Sequence, residues 1–209
     1  MARIPLIHIP DGLYSVVSKC NNDEFLFDAE EKFDLYLKHL LHCKKKLGFT
    51  LYDIVCMSNH VHELYRVPKN GFTIADILQA VKGHFALKFN KIFERSGHFW
   101  RNKPFYRIVE DKEYAFNTCR YYHFNPVRAK MVNHPSKWPY SGYRFHVMNR
   151  KSDLLGKLLD EIPGVDYSTR TDDKYPRTYD CAVDLLQQKR QRFIGSIGFI
   201  QKMKKKYSR

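Results

Sequence analysis

Four side chains stand out for the chemistry they could do: His60, His62, Tyr121 and Asn125. The histidines lie in Met57-Ser58-Asn59-His60-Val61-His62, between two runs rich in β-branched and aromatic residues, 50–57 (TLYDIVCM) and 61–67 (VHELYRV). With Ser58-Asn59 marking a tight turn, the segment reads as a β-hairpin. Side chains alternate faces along a strand, so the two imidazoles point the same way and can converge on one metal ion. Two histidines at this spacing can equally be edge-strand polar residues, and the pair alone does not decide.

Tyr121 and Asn125 are four apart and share a face of a helix expected over 112–124 (KEYAFNTCRYYHF), with Tyr114, Asn117 and Thr118 on the same polar stripe. Ala115, Cys119 and Tyr122 occupy the opposite, packing side. Two imidazole nitrogens and an amide oxygen could hold a divalent ion beside a phenol that attacks phosphate. A phenol with a pKa near ~10 needs that phosphate polarised and its own proton removed. Most of the fourteen tyrosines simply pack, and Tyr122 is the rival nucleophile.

Positioning these groups requires a particular order of elements. Residues 12–19 (GLYSVVSK) read as a first strand after a loop containing Pro5 and Pro10. Asp28 and Glu31 resemble a capping box opening a helix whose Phe33, Tyr36, Leu37, Leu40 and Leu41 form one stripe, with Gly48 at its end. After the hairpin, Thr73 can cap a long helix with an apolar face from Ile74 to Phe93, its other side carrying Lys82, Lys88, Lys91 and Arg95 and Gly97 stopping it. Residues 104–110 (PFYRIVE) read as a fourth strand. The order βαββαβ predicts an α+β, ferredoxin-like antiparallel sheet with helices on one face. The helix capped by Asp111 and ended by Asn125-Pro126 should then lie across the open face.

The chain divides on this reading into a domain at 1–148 and a basic helical C-terminal extension at 149–209. The extension comprises a helix at 151–162, a polar linker at 163–175 and one or two basic helices over 180–206. With 36 Lys and Arg against 22 Asp and Glu, the formal charge is +14, which favours a polyanionic partner such as nucleic acid, although solubility or attraction to acidic membranes would give the same balance. No run has the apolar length of a transmembrane helix, and the first residues lack the apolar core of a signal peptide, so a cytoplasmic, nucleoid-associated protein is expected. The five cysteines are scattered, with no C-x-x-C pair, and are expected to be reduced thiols.

The motifs now carry a resemblance. Met57-Ser58-Asn59-His60-Val61-His62 is similar to the M-P-N-H-V-H signature of single-tyrosine HUH transposases, and Gly97-His98-Phe99-Trp100-Arg101 to their G-H-x-W-x segment. Tyr121 to Ala129 (YYHFNPVRA) resembles their Y-I-x-x-N-P-V-R-A block, and Trp138-Pro139-Tyr140-Ser141 their following W-S-S segment. The blocks occur in order over 12–145, and the closest subgroup is the REP-associated tyrosine transposases. The resemblance implies that His60 and His62 bind a catalytic Mg²⁺ or Mn²⁺, that Asn125 is the third ligand and that Tyr121 is the nucleophile. It also implies recognition of single-stranded or palindromic hairpin DNA, cut through a covalent 5′-phosphotyrosine intermediate. Ser58 departs from the family's proline, and Glu63 from its aliphatic residue: alternation aims Glu63 at the helix-covered face, where a carboxylate needs a partner.

Further candidates for nucleic-acid contacts are Lys82, Arg95, Arg101, Lys103, Arg107, Arg120 and Arg128, with His98 and Trp100 beside the site and Lys204 and Lys205 in the basic tail. Two other readings remain open: a catalytically silent hairpin-binding protein derived from such a transposase, and a histidine-triad hydrolase, which would need a histidine where Leu64 stands. The sequence is compatible with a homodimer or a monomer, and with Tyr121 serving its own subunit or a neighbour's.

Overall fold

The computed structural model describes residues 6–101, 104–167 and 192–207. Strand β1 (Leu13–Lys19) leads to helix α1 (Glu30–Leu47), then to the hairpin of β2 (Thr50–Cys56) and β3 (His60–Arg66). Helix α2 (Ile74–Leu78) runs through a π-helical turn (Gln79–His84) into α3 (Phe85–Ile92), followed by β4 (Phe105–Val109). The sheet order is β2-β3-β1-β4, antiparallel throughout, with a short β5 (Phe193–Ile194) added parallel to β4. This is the ferredoxin-like α+β architecture expected from the sequence. Among the described residues no helix is long and apolar enough to cross a membrane, and Cys20, Cys43, Cys56 and Cys119 are free and buried.

Local sequence explains most boundaries. Gly48 takes the left-handed conformation (φ 67°) that ends α1, and its amide bonds to the Lys44 carbonyl. Thr73 and Asp76 form a reciprocal capping box on α2. The start of α1 differs from expectation: Ala29 occupies the N-cap without a side-chain bond, and Asp28, one residue too early to cap, pairs with Lys32 at 2.7 Å.

One face of the sheet packs Tyr14, Val16, Leu51, Ile54 and Tyr65 against α1, α2 and α3. Glu63, on this face, is fully buried, and its partner is Lys82, 2.5 Å away, with the Tyr36 hydroxyl bonded to both. Lys82 is therefore not a surface phosphate contact, a correction to the sequence reading. It lies in the π-helical turn, four residues after buried Leu78 and three before buried Phe85, and so on the core-facing side of the helix. Trp100 closes this pocket from above: its ring lies 4.8 Å from the Lys82 ammonium and its indole N–H donates to the Lys82 carbonyl at 3.0 Å.

The other face is covered by α4 (Lys112–His123), capped by Asp111 through the amides of Glu113 and Tyr114. Its Ala115, Phe116, Cys119 and Tyr122 pack on Tyr52, Val55 and Leu64. A bulge between Leu51 and Asp53 sets Asp53 opposite Leu64, towards α4. The outer edge of β2 is protected by the Trp138–Ser141 segment, whose Tyr140 carbonyl accepts from the Cys56 amide at 2.9 Å.

Among the described residues the later chain is less helical than its sequence suggests. The helix expected over 151–162 contracts to α7 (Leu154–Leu158), numbered after α5 (Asn125–Arg128) and α6 (Tyr143–His146). Of the helices expected over 180–206, residues 180–191 lie outside the described residues. Phe193 and Ile194 instead form β5, because β4 offers an unpaired edge to which their backbone bonds, and α8 (Ile197–Tyr207) follows. Residues of α7, β5 and α8 contribute to the main core, among them Leu155, Phe193, Ile200 and Met203.

Candidate active site

The hairpin turn is closed by the Met57 amide bonding to the His60 carbonyl at 2.8 Å, which starts β3 at His60. His60 pairs with Lys19 and His62 with Val17, and both imidazoles emerge on the α4 side, ring centroids 4.9 Å apart and planes at 74°. His60 Nδ1 lies 2.7 Å from the Asn59 side-chain oxygen, an arrangement that protonates Nδ1 and leaves Nε2 a free lone pair. Burial, helped by Lys19, pushes His60 down to about 4. Burial, together with His60, Arg128, Arg107 and Lys19, holds His62 well below the usual histidine range. Both rings are thus neutral at physiological pH, the form in which imidazole is a ligand.

The two tyrosines at the end of α4 have different surroundings. Tyr122 is buried with its ring 4.9 Å from that of His62. Its hydroxyl lies 2.6 Å from Ser15 Oγ and donates to the Glu63 carbonyl at 3.3 Å, and burial pushes its pKa up. Tyr121 is partly exposed, its ring 6.4 Å from that of Tyr122. Tyr122 is therefore fixed into the sheet, and Tyr121 is the less buried of the two.

Asn125 opens α5, with Pro126 immediately after it. Arg128 ties this corner together: its guanidinium carbon sits 3.8 Å from the Tyr121 ring centre and its Nη2 donates to the Tyr121 carbonyl at 2.9 Å and to Asn125 Oδ1. Asn125 Oδ1 is thus turned towards Arg128, while Nδ2 is buried without a partner among the described residues. A carbonyl oxygen has a second lone pair, so the bond from Arg128 does not exhaust Asn125 as a ligand. Arg107, on β4, is buried with its guanidinium 4.5 Å from the Phe105 ring; burial lowers its pKa and the Tyr122 and Tyr121 phenols oppose this. His60, His62, Tyr121, Arg107 and Arg128 are consequently gathered at one end of the sheet, with Asn125 joined to them through Arg128.

The other candidates are engaged elsewhere, although the Arg101 amide bonds to the carbonyl of Lys19, the residue paired with His60. Arg95 bonds to Glu24 (2.8 Å) and the His98 carbonyl, Arg101 pairs with Asp23 (3.0 Å), and His98 is exposed on the loop after α3. Arg120 lies 5.9 Å from the Phe116 ring, and Lys204 and Lys205 are exposed on α8. Lys103 lies outside the described residues.

Among the described residues no group of three or more His, Cys, Asp or Glu side chains could hold a metal ion. A cation here would rely on the two imidazoles and a neutral oxygen such as that of Asn125. The residues fit such an ion: both rings are neutral, and His62 Nδ1 is a buried polar atom with no partner among the described residues. Imidazole suits Mn²⁺ and later transition ions, whereas an oxygen-rich set suits Mg²⁺.

Sequence reading missed two supports. Asp53 Oδ2 lies 3.1 Å from His123 Nε2, both residues buried where the end of α4 meets β2. Their pairing depends on the β2 bulge, which leaves no mark in the hydrophobic pattern. Ser15, the partner of Tyr122, had no signal of its own.

Comparison with known proteins adds three findings. A family model described as "Transposase IS200 like" matches residues 10–124. A Haemophilus influenzae protein assigned as a REP-associated tyrosine transposase is 24% identical over 143 residues, covering 63% of this chain and 80% of that protein. A solved REP-associated tyrosine transposase bound to a REP hairpin superposes with a TM-score of 0.62 at 15% identity, covering 74% of this chain and 90% of that one.

Proposed function

The chain belongs to the IS200-like transposase family, and from that premise we propose that it is a metal-dependent single-strand DNA endonuclease and strand transferase acting on hairpin or palindromic DNA. The observation that supports this most directly is the pair of neutral imidazoles on one sheet face, one with an orphaned nitrogen, at the end of the sheet where Tyr121 is partly exposed. The likeness to a structure bound to a REP hairpin and the charge of +14 support a DNA partner. The segment at 1–148 carries this site, and the described parts of 149–209 pack into the same core and sheet.

In the proposed reaction Tyr121 Oη attacks the scissile phosphorus, and the bond from phosphorus to the 3′ oxygen breaks. The phenol proton leaves to solvent, the 3′ oxygen takes one up, and the 5′ end remains as a phosphotyrosine ester. One phosphodiester is exchanged for another, so rejoining by a 3′-hydroxyl needs no ATP. His60, His62 and Asn125 would hold Mg²⁺ or Mn²⁺, which supplies Lewis-acid polarisation of the phosphate when bound. Arg107 and Arg128 place positive charge beside the phenol and the incoming phosphate, and Arg128 fixes the Tyr121 ring.

Incubation with labelled hairpin DNA and Mn²⁺ or Mg²⁺, followed by a denaturing gel, tests this reading. A protein-linked species is expected, absent in Tyr121→Phe and retained in Tyr122→Phe. An adduct that persists in Tyr121→Phe refutes the nucleophile. DNA binding with no adduct under either metal supports a hairpin-binding protein that does not cut.

A further inference from the structure

At the end of the sheet opposite the histidines, residues of α8, β1 and β4 line an open hollow of about 600 Å³, within the size range of small-ligand sites. His60 and Arg66 bound β3, so this cavity lies about 20 Å from the histidine end at ~3.3 Å per residue. Its walls include Tyr52, Ile162, Phe199, Met203 and Tyr207, and its rim carries Lys112 from α4 and Lys202 and Lys206 from α8.

The charges around this cavity are unevenly used. Asp11 is held by Arg66 through two bonds of 2.7 and 2.6 Å, and Glu110 accepts from the Ser196 amide and hydroxyl at 2.5 and 3.0 Å. Asp111 is consumed in capping α4. Each carboxylate of the lining is therefore engaged, whereas Lys112, Lys202 and Lys206 have no carboxylate partner among the described residues. Three ammonium groups from two separate elements, set around an aromatic and aliphatic hollow, match a nucleotide: phosphate at the lysines, base against the apolar wall. We infer that this cavity is a second nucleic-acid site, which takes one nucleotide of single-stranded DNA remote from the proposed cleavage site. The inference rests on DNA being the partner. A DNA that reached both ends would need at least about six nucleotide steps at ~3.4 Å each.

The test is titration of the full chain with a fluorescein-labelled 20-nucleotide single-stranded DNA at several salt concentrations. Lys202→Glu/Lys206→Glu and, separately, Lys112→Glu are expected to weaken binding tenfold or more. The slope of log affinity against log salt should flatten by about 0.7 for each phosphate no longer neutralised. Lys45→Glu/Lys46→Glu, the same charge change as in Lys202→Glu/Lys206→Glu but on exposed residues of α1, should weaken binding less than threefold. Equal weakening in all three proteins, or wild-type binding in either cavity variant, overturns the inference. Displacement of the labelled DNA by thymidine monophosphate is expected at concentrations where inorganic phosphate has no effect, and equal displacement by both also overturns it. Formation of the covalent adduct on a short hairpin is a separate measurement. Its absence refutes the proposed reaction while leaving the cavity's binding intact, and its retention in the cavity variants is expected.

Discussion

Glu63 and Lys82 form a 2.5 Å ion pair in the layer between the sheet and the helices, under the strand that carries His60 and His62. Removing either partner alone leaves a buried charge, which costs about 3–5 kcal/mol, whereas exchanging both for apolar groups of similar volume is often neutral. Glu63→Leu and Lys82→Met should each lower the stability measured by urea unfolding by several kcal/mol, and the double variant should recover most of it. A double variant no more stable than the singles would show that Tyr36, bonded to both groups, has been left with an unmet need of its own.

Tyr122→Phe removes a hydroxyl that meets Ser15 and the Glu63 carbonyl inside the sheet face. A buried bond of this kind contributes about 1 kcal/mol, and stranding its partner adds to the loss. The variant should therefore unfold about 1–2 kcal/mol more easily while still forming the DNA adduct. Unchanged stability together with a missing adduct would reverse the roles of the two tyrosines.

How far the sequence foretold this arrangement follows from which rules operate locally. The strand order and the facing of His60 and His62 depend on period-two alternation and on turn chemistry, and both are legible in Ser58-Asn59 and the flanking β-branched residues. The burial of Ala115, Cys119 and Tyr122 followed from helical periodicity. Lys82 was misread because the partner that lets its charge be buried, Glu63, lies on another element, and the approach of Asp53 to His123 was invisible because a bulge re-aims one side chain. Phe193-Ile194 became a strand through the free edge of β4, a tertiary cause that no window of local sequence contains.

Arg128 meets Tyr121 and Asn125 and is placed to orient them. Lysine keeps the charge but cannot stack on the ring while donating to two oxygens. Arg128→Lys should slow adduct formation tenfold or more under single-turnover conditions and change hairpin affinity less than threefold. A fall in affinity with an unchanged rate from the bound state would make Arg128 a phosphate contact instead.

The cations around the histidines predict a coupling between metal and DNA. Lys19, Arg107 and Arg128 disfavour added positive charge at His62, and an incoming phosphate offsets them. In Tyr121→Phe protein, which leaves DNA uncut, Mn²⁺ affinity followed by electron paramagnetic resonance should rise at least fivefold when hairpin DNA is present, within the usual range of site coupling. Equal Mn²⁺ affinity with and without DNA would contradict it, and His60→Ala should abolish binding in both conditions.

His146 predicts how acid acts on the fold away from the proposed site. Burial, aided by His123 and opposed by Asp53 and the bond to the Tyr52 carbonyl, pushes it down to about 4. Above the unfolded value near 6.5 neither state carries the proton and this residue adds no pH dependence. Between 6.5 and about 4 the unfolded chain binds a proton that the folded chain refuses, so stability falls as pH falls; below about 4 both states are protonated and the effect levels off. At pH 5 the loss from this group is about 2 kcal/mol relative to pH 7. His146→Gln keeps a donor for the Tyr52 carbonyl, bonded at 2.7 Å by His146 Nε2, but cannot titrate. Urea unfolding at both pH values should find the variant losing about 2 kcal/mol less than the wild type on acidification, and parallel losses in the two proteins would place the acid sensitivity elsewhere, with His60 and His62 next in line.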